Sequence, residues 1–212
     1  MTSSVIGSGL TVVLDIRDPF SYLALRPAFD FLDEMGIDAT WLPIRGHSLV
    51  APSTPSRGDD RGTRHRRFRA EMIAREIAVY ANVQGLVIRS PYRQGPADAA
   101  HIAWLWIREC AADRLRVFLE EAFRRYWALE LDPDNPDDLA TLLEDLSFEI
   151  MAFRRWAAEH GKEAIRSLGS ELADAQVYQG PAYVWNGEVF YGRQHLPMIR
   201  WLLEGASGDR PI

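Results

Sequence analysis

The sequence predicts an α/β protein in which an all-helical domain is inserted into a domain that contains the strands. A short β-branched run, LTVVLDI at residues 10–16, begins a β-α-β order, and a β-rich segment, QGPAYVWNGEVFYG at residues 179–192, lies near the other end. The chain between these segments has mostly helical periodicity. We therefore expect a discontinuous strand-containing domain, residues 1–50 and 175–212, around an inserted helical domain, residues 60–174.

Composition excludes several classes of protein. The chain has 212 residues, 47% hydrophobic and 25% charged, which suits a folded domain, and its net charge of −6 argues against nucleic-acid binding. It has one cysteine, Cys110, which excludes an intrachain disulfide and a dithiol redox cycle within one chain. We expect Cys110 to be a small buried residue.

The sequence shows neither a signal-peptide pattern nor a membrane-helix pattern, and both absences bear on where in the cell the protein is expected. The first residues lack the basic start and apolar core of a signal peptide. No run approaches the roughly 18 apolar residues of a membrane helix. We expect a cytoplasmic protein with no membrane partner and no nucleic-acid partner.

The first β-α-β unit has clear boundaries. The strand at residues 10–16 is followed by Asp18 and Pro19, an N-cap carboxylate with proline at the first helical position. The helix PFSYLALRPAFDFLDEM should end at Gly36. DATWLPI, residues 38–44, reads as the second strand.

A Pro-, Gly- and Ser-rich segment, residues 45–63, predicts a loop before the helical middle of the chain. Helical patterns then follow in order: residues 64–84, PADAAHIAWLWIRECAA, DRLRVFLEEAFRRYWAL, DDLATLLEDL and FEIMAFRRWAAEHG. Near the end, Asn186-Gly187 between β-rich residues predicts a tight hairpin. RQHLPMIRWLLEG predicts a final helix.

Two local motifs carry a resemblance to a known family. DPFSYLA, residues 18–24, is similar to an SPYSYLA or SPFSYLA motif after the first strand, and GPAYVWNGEVFYGRQHL, residues 180–196, is similar to a GVPTFVVNGEVFWGQDRL-like ending. Both motifs, with the element order, resemble the DsbA-like branch of the thioredoxin superfamily. Within that branch, the chain is most similar to 2-hydroxychromene-2-carboxylate isomerases and kappa-class glutathione transferases.

The resemblance implies a thioredoxin-like fold with an inserted helical domain, a homodimer, and a small aromatic or carboxylate substrate handled with glutathione as cofactor. It implies that Gly180-Pro181 is a cis-proline turn facing the site, a form that costs only about 0.5–1 kcal/mol. It places a catalytic pair at Asp18 and Ser21. The substrate-binding residues it implies are Pro19, Phe20, Gly180, Pro181, Gln194 and His195.

Asp18 departs from the family pattern at the reacting position. The isomerases and transferases have a serine there, and the disulfide oxidoreductases have Cys-x-x-Cys, whereas this chain has Asp-Pro-Phe-Ser at residues 18–21. Disulfide exchange therefore lacks both thiols. An ionised Asp18 would also repel a glutathione thiolate, by roughly 4 kcal/mol at about 4 Å and a near-surface dielectric. Gln194 stands where the family has the acid that pairs with the glutathione amino group.

Several alternatives remain open at this level. Asp18 is either only an N-cap, or a pocket carboxylate acting as a base in a proton-transfer isomerisation. Asp15 either raises the pKa of Asp18 or lies apart from it. The basic run from Arg57 to Arg69 is either a solvated face or an anion site. No spacing of His and Cys predicts a metal site.

The sequence thus supports two classes of function. One is an enzyme related to the isomerases and transferases, with weak or absent glutathione chemistry and no disulfide oxidoreductase activity. The other is a catalytically silent thioredoxin-fold module that binds a ligand or a protein partner.

Overall fold

The computed structural model describes Ile6 and residues 9–211. In this part of the chain, the strands β1 (Leu10–Leu14), β2 (Ala39–Pro43), β3 (Ala182–Trp185) and β4 (Glu188–Tyr191) form one sheet in the order β2-β1-β3-β4. β1 pairs in parallel with β2 and antiparallel with β3, and β3 pairs antiparallel with β4. The predicted strand that opens the chain and the predicted hairpin near its end are therefore neighbours in one sheet.

Strand β1 lies between two other strands, and four of its five residues are apolar. All five of its residues are buried, as expected for a strand that is covered on each side. On one face Val12 and Leu14 join the larger apolar core, and on the other Val13 joins a second core with Leu42 and Val184. The end of β1 therefore delivers the following residues to the middle of the molecule.

Helix α1 (Pro19–Met35) begins and ends where the sequence predicts. Asp18 has extended backbone angles and caps the helix, with Pro19 at its first position. Gly36 ends it with φ of 62°, a left-handed conformation that glycine adopts without steric cost. This cap chemistry fixes the position of Asp18 beyond the C-terminal end of β1.

The segment between β2 and β3 is helical. Its helices are α2 (Arg61–Gln84), α3 (Asp98–Cys110), α4 (Leu115–Ala128), α5 (Pro136–Asp145), α6 (Ile150–Trp156) and α7 (Lys162–Asp174). The predicted helical patterns are confirmed with shifted ends, but α7 was not predicted. Gly161 resembles a helix end in the sequence, yet it has helical angles, and a π-helical turn at Ala157–Gly161 joins α6 to α7.

The C-terminal hairpin and helix are confirmed. Asn186 and Gly187 both have positive φ, 50° and 82°, as a type I′ turn requires. After β4 a short 3₁₀ turn at Arg193–His195 leads into α8 (Leu196–Leu203). This turn brings the GRQHL segment back towards the N-terminus of α1.

The predicted fold class, α/β with helices inserted between two strand-containing parts, is confirmed. The largest apolar core combines β1 and α1 with residues of α3 to α6, including Trp104, Phe123 and Trp127. Helices and sheet thus share one core. Within Ile6 and residues 9–211, no helix is both long enough and apolar enough to cross a membrane.

Candidate functional site

A cavity of about 1000 Å³ lies beside the N-terminus of α1. Its walls come from the start of α1, the loop after β2, the middle of α2, the turn before β3 and the segment from β4 to α8. The lining residues are Asp18, Phe20, Pro27, Gly46, His47, Leu49, Glu76, Tyr80, Gln179, Gly180, Pro181, Tyr191, Gly192, Arg193, Gln194, Leu196 and Pro197. A volume of this size accommodates a small organic ligand.

The Asp18 carboxyl group is held by three donors. Its Oδ2 accepts hydrogen bonds from the Ser21 backbone N–H at 2.8 Å and from Ser21 Oγ at 2.9 Å, and its Oδ1 accepts from the Phe20 N–H at 3.3 Å. Asp18 is 8% exposed and still lines the cavity, whereas Ser21 is fully buried behind it. The two predicted catalytic residues therefore form one hydrogen-bonded pair at the helix start.

Burial raises the pKa of Asp18 from its ordinary value of 3.8 to about 7, because a charged carboxylate loses its hydration there. The hydrogen bonds from Ser21 oppose this rise, since they stabilise the ionised form, and the nearby charge of Asp15 adds to it. Of the two alternatives left open by the sequence, the one in which Asp15 raises the pKa of Asp18 therefore holds. Asp18 exchanges a proton near neutral pH, which is the range suited to a general acid or base.

Asp15 serves as an anchor behind the cavity. It is 1% exposed and accepts three bonds from Arg17, from its backbone N–H, Nε and Nη2 at 2.9, 3.1 and 2.8 Å. The Gly46 N–H also donates to Asp15 Oδ2 at 2.8 Å, and Arg17 Nη2 donates to the Gly46 carbonyl. Asp15 thereby ties the cavity wall at Gly46 to the end of β1.

His101 is a buried neighbour of Asp15. Its Nε2 is 3.7 Å from Asp15 Oδ1, beyond hydrogen-bonding distance, and the side chain is buried. Burial lowers the pKa of His101 to about 4, and the Asp15 charge only partly opposes this. His101 is therefore neutral at pH 7, and its contact with Asp15 is not an ion pair.

The peptide bond between Gly180 and Pro181 is cis, as the family resemblance implied. Gly180 packs directly on the helix start: a Cβ at this position would lie 2.8 Å from Ser21 Oγ and 3.0 Å from both the Asp15 nitrogen and Leu14 Cα. The turn and the Asp18–Ser21 pair are therefore in close contact, and only glycine fits between them.

The structure brings most of the sequence-predicted site residues together. Asp18, Phe20, Gly180, Pro181 and Gln194 line the cavity, and Ser21 supports Asp18. Two others are placed elsewhere: Pro19 is buried in the first turn of α1, and the His195 ring lies against Phe190, 5.9 Å between centroids, away from the lining.

The basic run does not contribute to this cavity. Its residues lie on the loop and the first half of α2, and Arg67 pairs with Asp59. The arginine that lines the cavity is instead Arg193, whose guanidinium carbon lies 3.9 Å from the centroid of the Tyr80 ring. Sequence reasoning missed both residues. The one signal available was an arginine beside Gln194 in the segment already singled out.

Cys110 is exposed at the end of α3, so the expectation of a buried cysteine is wrong. It does not line the cavity. Partial desolvation of its thiol nevertheless raises its pKa from the ordinary value, and the charge of Glu109 adds to this effect. Among Ile6 and residues 9–211, no three His, Cys, Asp or Glu side chains are grouped as metal ligands.

The helix start does not fit a glutathione thiolate. A thiolate at such a position needs free N–H donors and a hydroxyl donor. Here the Phe20 and Ser21 N–H groups and the Ser21 hydroxyl all donate to the Asp18 carboxyl group. The donors are therefore already satisfied within the chain.

Replacing Ser21 with alanine is expected to raise the pKa of Asp18 further, because it removes a hydrogen bond to the ionised form. It also leaves the buried Asp15 N–H without its Ser21 Oγ acceptor, at 3.2 Å, and should cost about 1–3 kcal/mol of stability. A carboxyl ¹³C NMR titration and denaturant unfolding measure the two effects. Ser167→Ala, at an exposed serine of α7, is the control. A lowered Asp18 pKa would contradict this assignment.

Comparisons with known proteins give the same picture of the fold. The model of the DSBA-like thioredoxin domain matches residues 10–204. No curated protein sequence matches the chain.

Solved structures that resemble the chain include a 2-hydroxychromene-2-carboxylate isomerase, with TM-score 0.70, 16% identity, and coverage of 93% of this chain and 95% of that one. A probable DsbA oxidoreductase from Streptomyces coelicolor has TM-score 0.71 and 15% identity, covering 96% and 92%. The cytosolic disulfide reductase DsbM from Pseudomonas aeruginosa, solved with GSH, has TM-score 0.63 and 15% identity, covering 93% and 98%. At these identities the likeness shows the fold alone.

Proposed function

Because this chain belongs to the DSBA-like thioredoxin domain family, we propose that it uses the family's cavity for chemistry without a thiol. In this proposal Asp18 is the base of a proton-transfer isomerisation of a small aromatic or carboxylate substrate. The observation that carries it is a buried carboxyl group, with a pKa raised to about 7, that lines a cavity of about 1000 Å³. A base with this pKa is about half ionised at neutral pH, where proton transfer is most efficient.

Substrate class is supported by two features. One structural neighbour is, by its name, a 2-hydroxychromene-2-carboxylate isomerase. The cavity itself combines apolar surface from Phe20 and Leu49 with polar groups at Asp18 and Arg193. Such a mixture suits an aromatic compound with a polar or acidic group.

Thiol chemistry is not part of the proposed reaction. The positions that carry Cys-x-x-Cys in disulfide oxidoreductases hold Asp18 to Ser21, and the chain's one cysteine lies outside the cavity. The donors that would stabilise a glutathione thiolate are bonded to Asp18. We therefore propose that the protein neither exchanges disulfides nor activates glutathione.

The test is isomerisation of 2-hydroxychromene-2-carboxylate by the wild type, Asp18→Asn and Asp18→Ser proteins, each with and without glutathione. Turnover by the wild type is expected without glutathione, with kcat/KM rising through about pH 7 and level above it, since the ionised form is the base. Asp18→Asn should lower kcat by about 10² or more, the size of a general-base contribution. Asp38→Asn, at an exposed acid, is the matched control.

Two results would overturn the proposal. One is turnover by the wild type that depends strictly on glutathione. The other is turnover that Asp18→Asn leaves unchanged. Gain of glutathione dependence in Asp18→Ser would support the view that the carboxyl group displaced an ancestral thiol site.

A second candidate is a catalytically silent binding module, and one observation favours it. Both oxygens of Asp18 already accept hydrogen bonds from the helix start, as an N-cap alone would require. In that case no member of a panel of small aromatic acids is turned over. Asp18→Asn then leaves their binding unchanged at every pH.

A further inference from the structure

Arg193 places a positive charge on the wall of the cavity. It begins the 3₁₀ turn between β4 and α8, is only partly exposed, and lines the cavity. Within Ile6 and residues 9–211, it makes no ion pair and no side-chain hydrogen bond, and its guanidinium group packs on the ring of Tyr80. The cavity therefore contains a cation whose charge is not neutralised by a direct partner.

Tyr80 of α2 holds this cation in place. The Arg193 guanidinium carbon lies 3.9 Å from the Tyr80 ring centroid, close contact for a cation over an aromatic face. Contact with a ring uses none of the five guanidinium N–H donors, so they stay available to a ligand. The stack also orders a long side chain in advance, which lowers the entropic cost of binding.

The other charged groups of the cavity define what the arginine can bind. Asp18 and Glu76 line the same space and are acids. Glu76, and Asp18 in its ionised form, repel an anionic group, so such a group in the cavity is drawn towards Arg193. Guanidinium groups bind carboxylates through two parallel N–H···O bonds, a geometry that fixes the orientation of the ligand.

We propose that Arg193, supported by the Tyr80 ring, is the carboxylate-binding residue of this cavity and determines its preference for acidic aromatic ligands. This assignment rests on the proposed function for the substrate class. The binding of a carboxylate by Arg193 can be tested without turnover. The basic run on α2, which the sequence offered as an anion site, has no part in it.

The experiment is calorimetric titration with trans-cinnamate and its neutral counterpart cinnamamide at pH 6, where most of Asp18 is protonated. Arg193→Gln is expected to weaken cinnamate binding about tenfold or more, the size of a charge-assisted hydrogen bond, and to leave cinnamamide binding within about twofold. Arg193→Lys keeps the positive charge but lacks the planar guanidinium group. Its affinity for cinnamate should lie between those of the wild type and Arg193→Gln. The cinnamamide titration also shows that each variant is folded.

Variants of the supporting ring and of the basic run complete the design. Tyr80→Ala should weaken cinnamate binding severalfold, whereas Tyr80→Phe retains the ring and the affinity. Arg64→Gln, an exposed arginine of α2 outside the cavity, is the matched control and should change nothing. Added salt should weaken cinnamate binding more than cinnamamide binding.

The proposal is overturned by any of three results: wild type fails to bind cinnamate, Arg193→Gln weakens both ligands equally, or Arg64→Gln weakens cinnamate as much as Arg193→Gln. Its failure is distinguishable from failure of the proposed function. Asp18→Asn should retain cinnamate binding at pH 6 while losing turnover. Arg193-dependent binding without any Asp18-dependent turnover would leave this assignment standing and remove the proposed reaction.

Discussion

Replacing Asp18 with asparagine is expected to remove a large pH dependence of stability. Native Asp18 keeps its proton up to about pH 7, whereas the unfolded chain releases it near 3.8. The contribution of Asp18 to the free energy of unfolding is therefore fully present below pH 3.8. It falls as the pH rises and is lost above about pH 7. The difference between the Asp18 pKa in the native and unfolded states corresponds to about 4 kcal/mol of unfolding free energy. Because asparagine cannot ionise, the stability of the variant does not fall over this pH range through residue 18.

The asparagine variant should keep the local structure, because asparagine caps helices as well as aspartate does. Its amide oxygen can take the Oδ2 position that accepts both bonds from Ser21, and only the longer contact with Phe20 is lost.

The measurement is the free energy of unfolding of both proteins in denaturant at pH 4 and pH 8. The variant should gain about 4 kcal/mol relative to the wild type between the two values. Other titrating groups, His101 among them, are present in both proteins and cancel in the difference. Asp38→Asn, at an exposed acid, should show no such gain. A stability difference that is the same at both pH values would show that burial does not raise the Asp18 pKa.

The second large effect is expected at Gly180. Valine here would place its Cβ 2.8 Å from Ser21 Oγ and 3.0 Å from the Asp15 nitrogen and Leu14 Cα. The last two atoms belong to the backbone of the central strand and its end, and cannot move aside as a flexible side chain could. We expect Gly180→Val to cost roughly 3 kcal/mol or more, and Gly180→Ala roughly 1–3 kcal/mol.

Gly180 does not occupy the left-handed backbone region, so this effect tests space and not backbone strain. Gly169→Ala is the matched control, because a Cβ at Gly169 in α7 meets nothing within 4 Å and alanine favours a helix. Denaturant unfolding of the three variants measures the order of stability. Wild-type stability for Gly180→Val would contradict the close packing of the proline turn on the helix start.

Much of the fold was predictable because local chemistry agrees with the tertiary structure. Asp18-Pro19 at the start of α1 and Asn186-Gly187 in the hairpin are short signals whose conformations follow from the residues themselves. Helix α7 was missed because Gly161, a typical helix end, is held in a helical conformation where its Cα faces Ile102. Packing overrode local propensity there.

The site was predictable only in part. Motif similarity located Asp18, Phe20, Gly180, Pro181 and Gln194, all of which line the cavity. The sequence could not give the charge state of Asp18, since that depends on burial by residues distant in the chain.

The thiolate repulsion expected from the sequence holds only for an ionised Asp18. With its pKa raised to about 7, the carboxyl group is largely neutral in mildly acidic solution, and its repulsion of a thiolate acts fully only above that range. What opposes thiolate binding at lower pH is the use of the Ser21 and Phe20 donors by Asp18 itself.

The stack of Arg193 on Tyr80 could not be predicted either, because the two residues are distant in sequence and meet only in the folded protein.

The most direct test of the account is the titration of the Asp18 side chain by carboxyl ¹³C NMR, with the signal assigned by its loss in Asp18→Asn. A midpoint near pH 7 is the predicted result, since it would place a proton-exchanging group in the cavity at neutral pH. A midpoint at the ordinary value of 3.8 would mean a permanently ionised helix cap and would contradict the proposed chemistry.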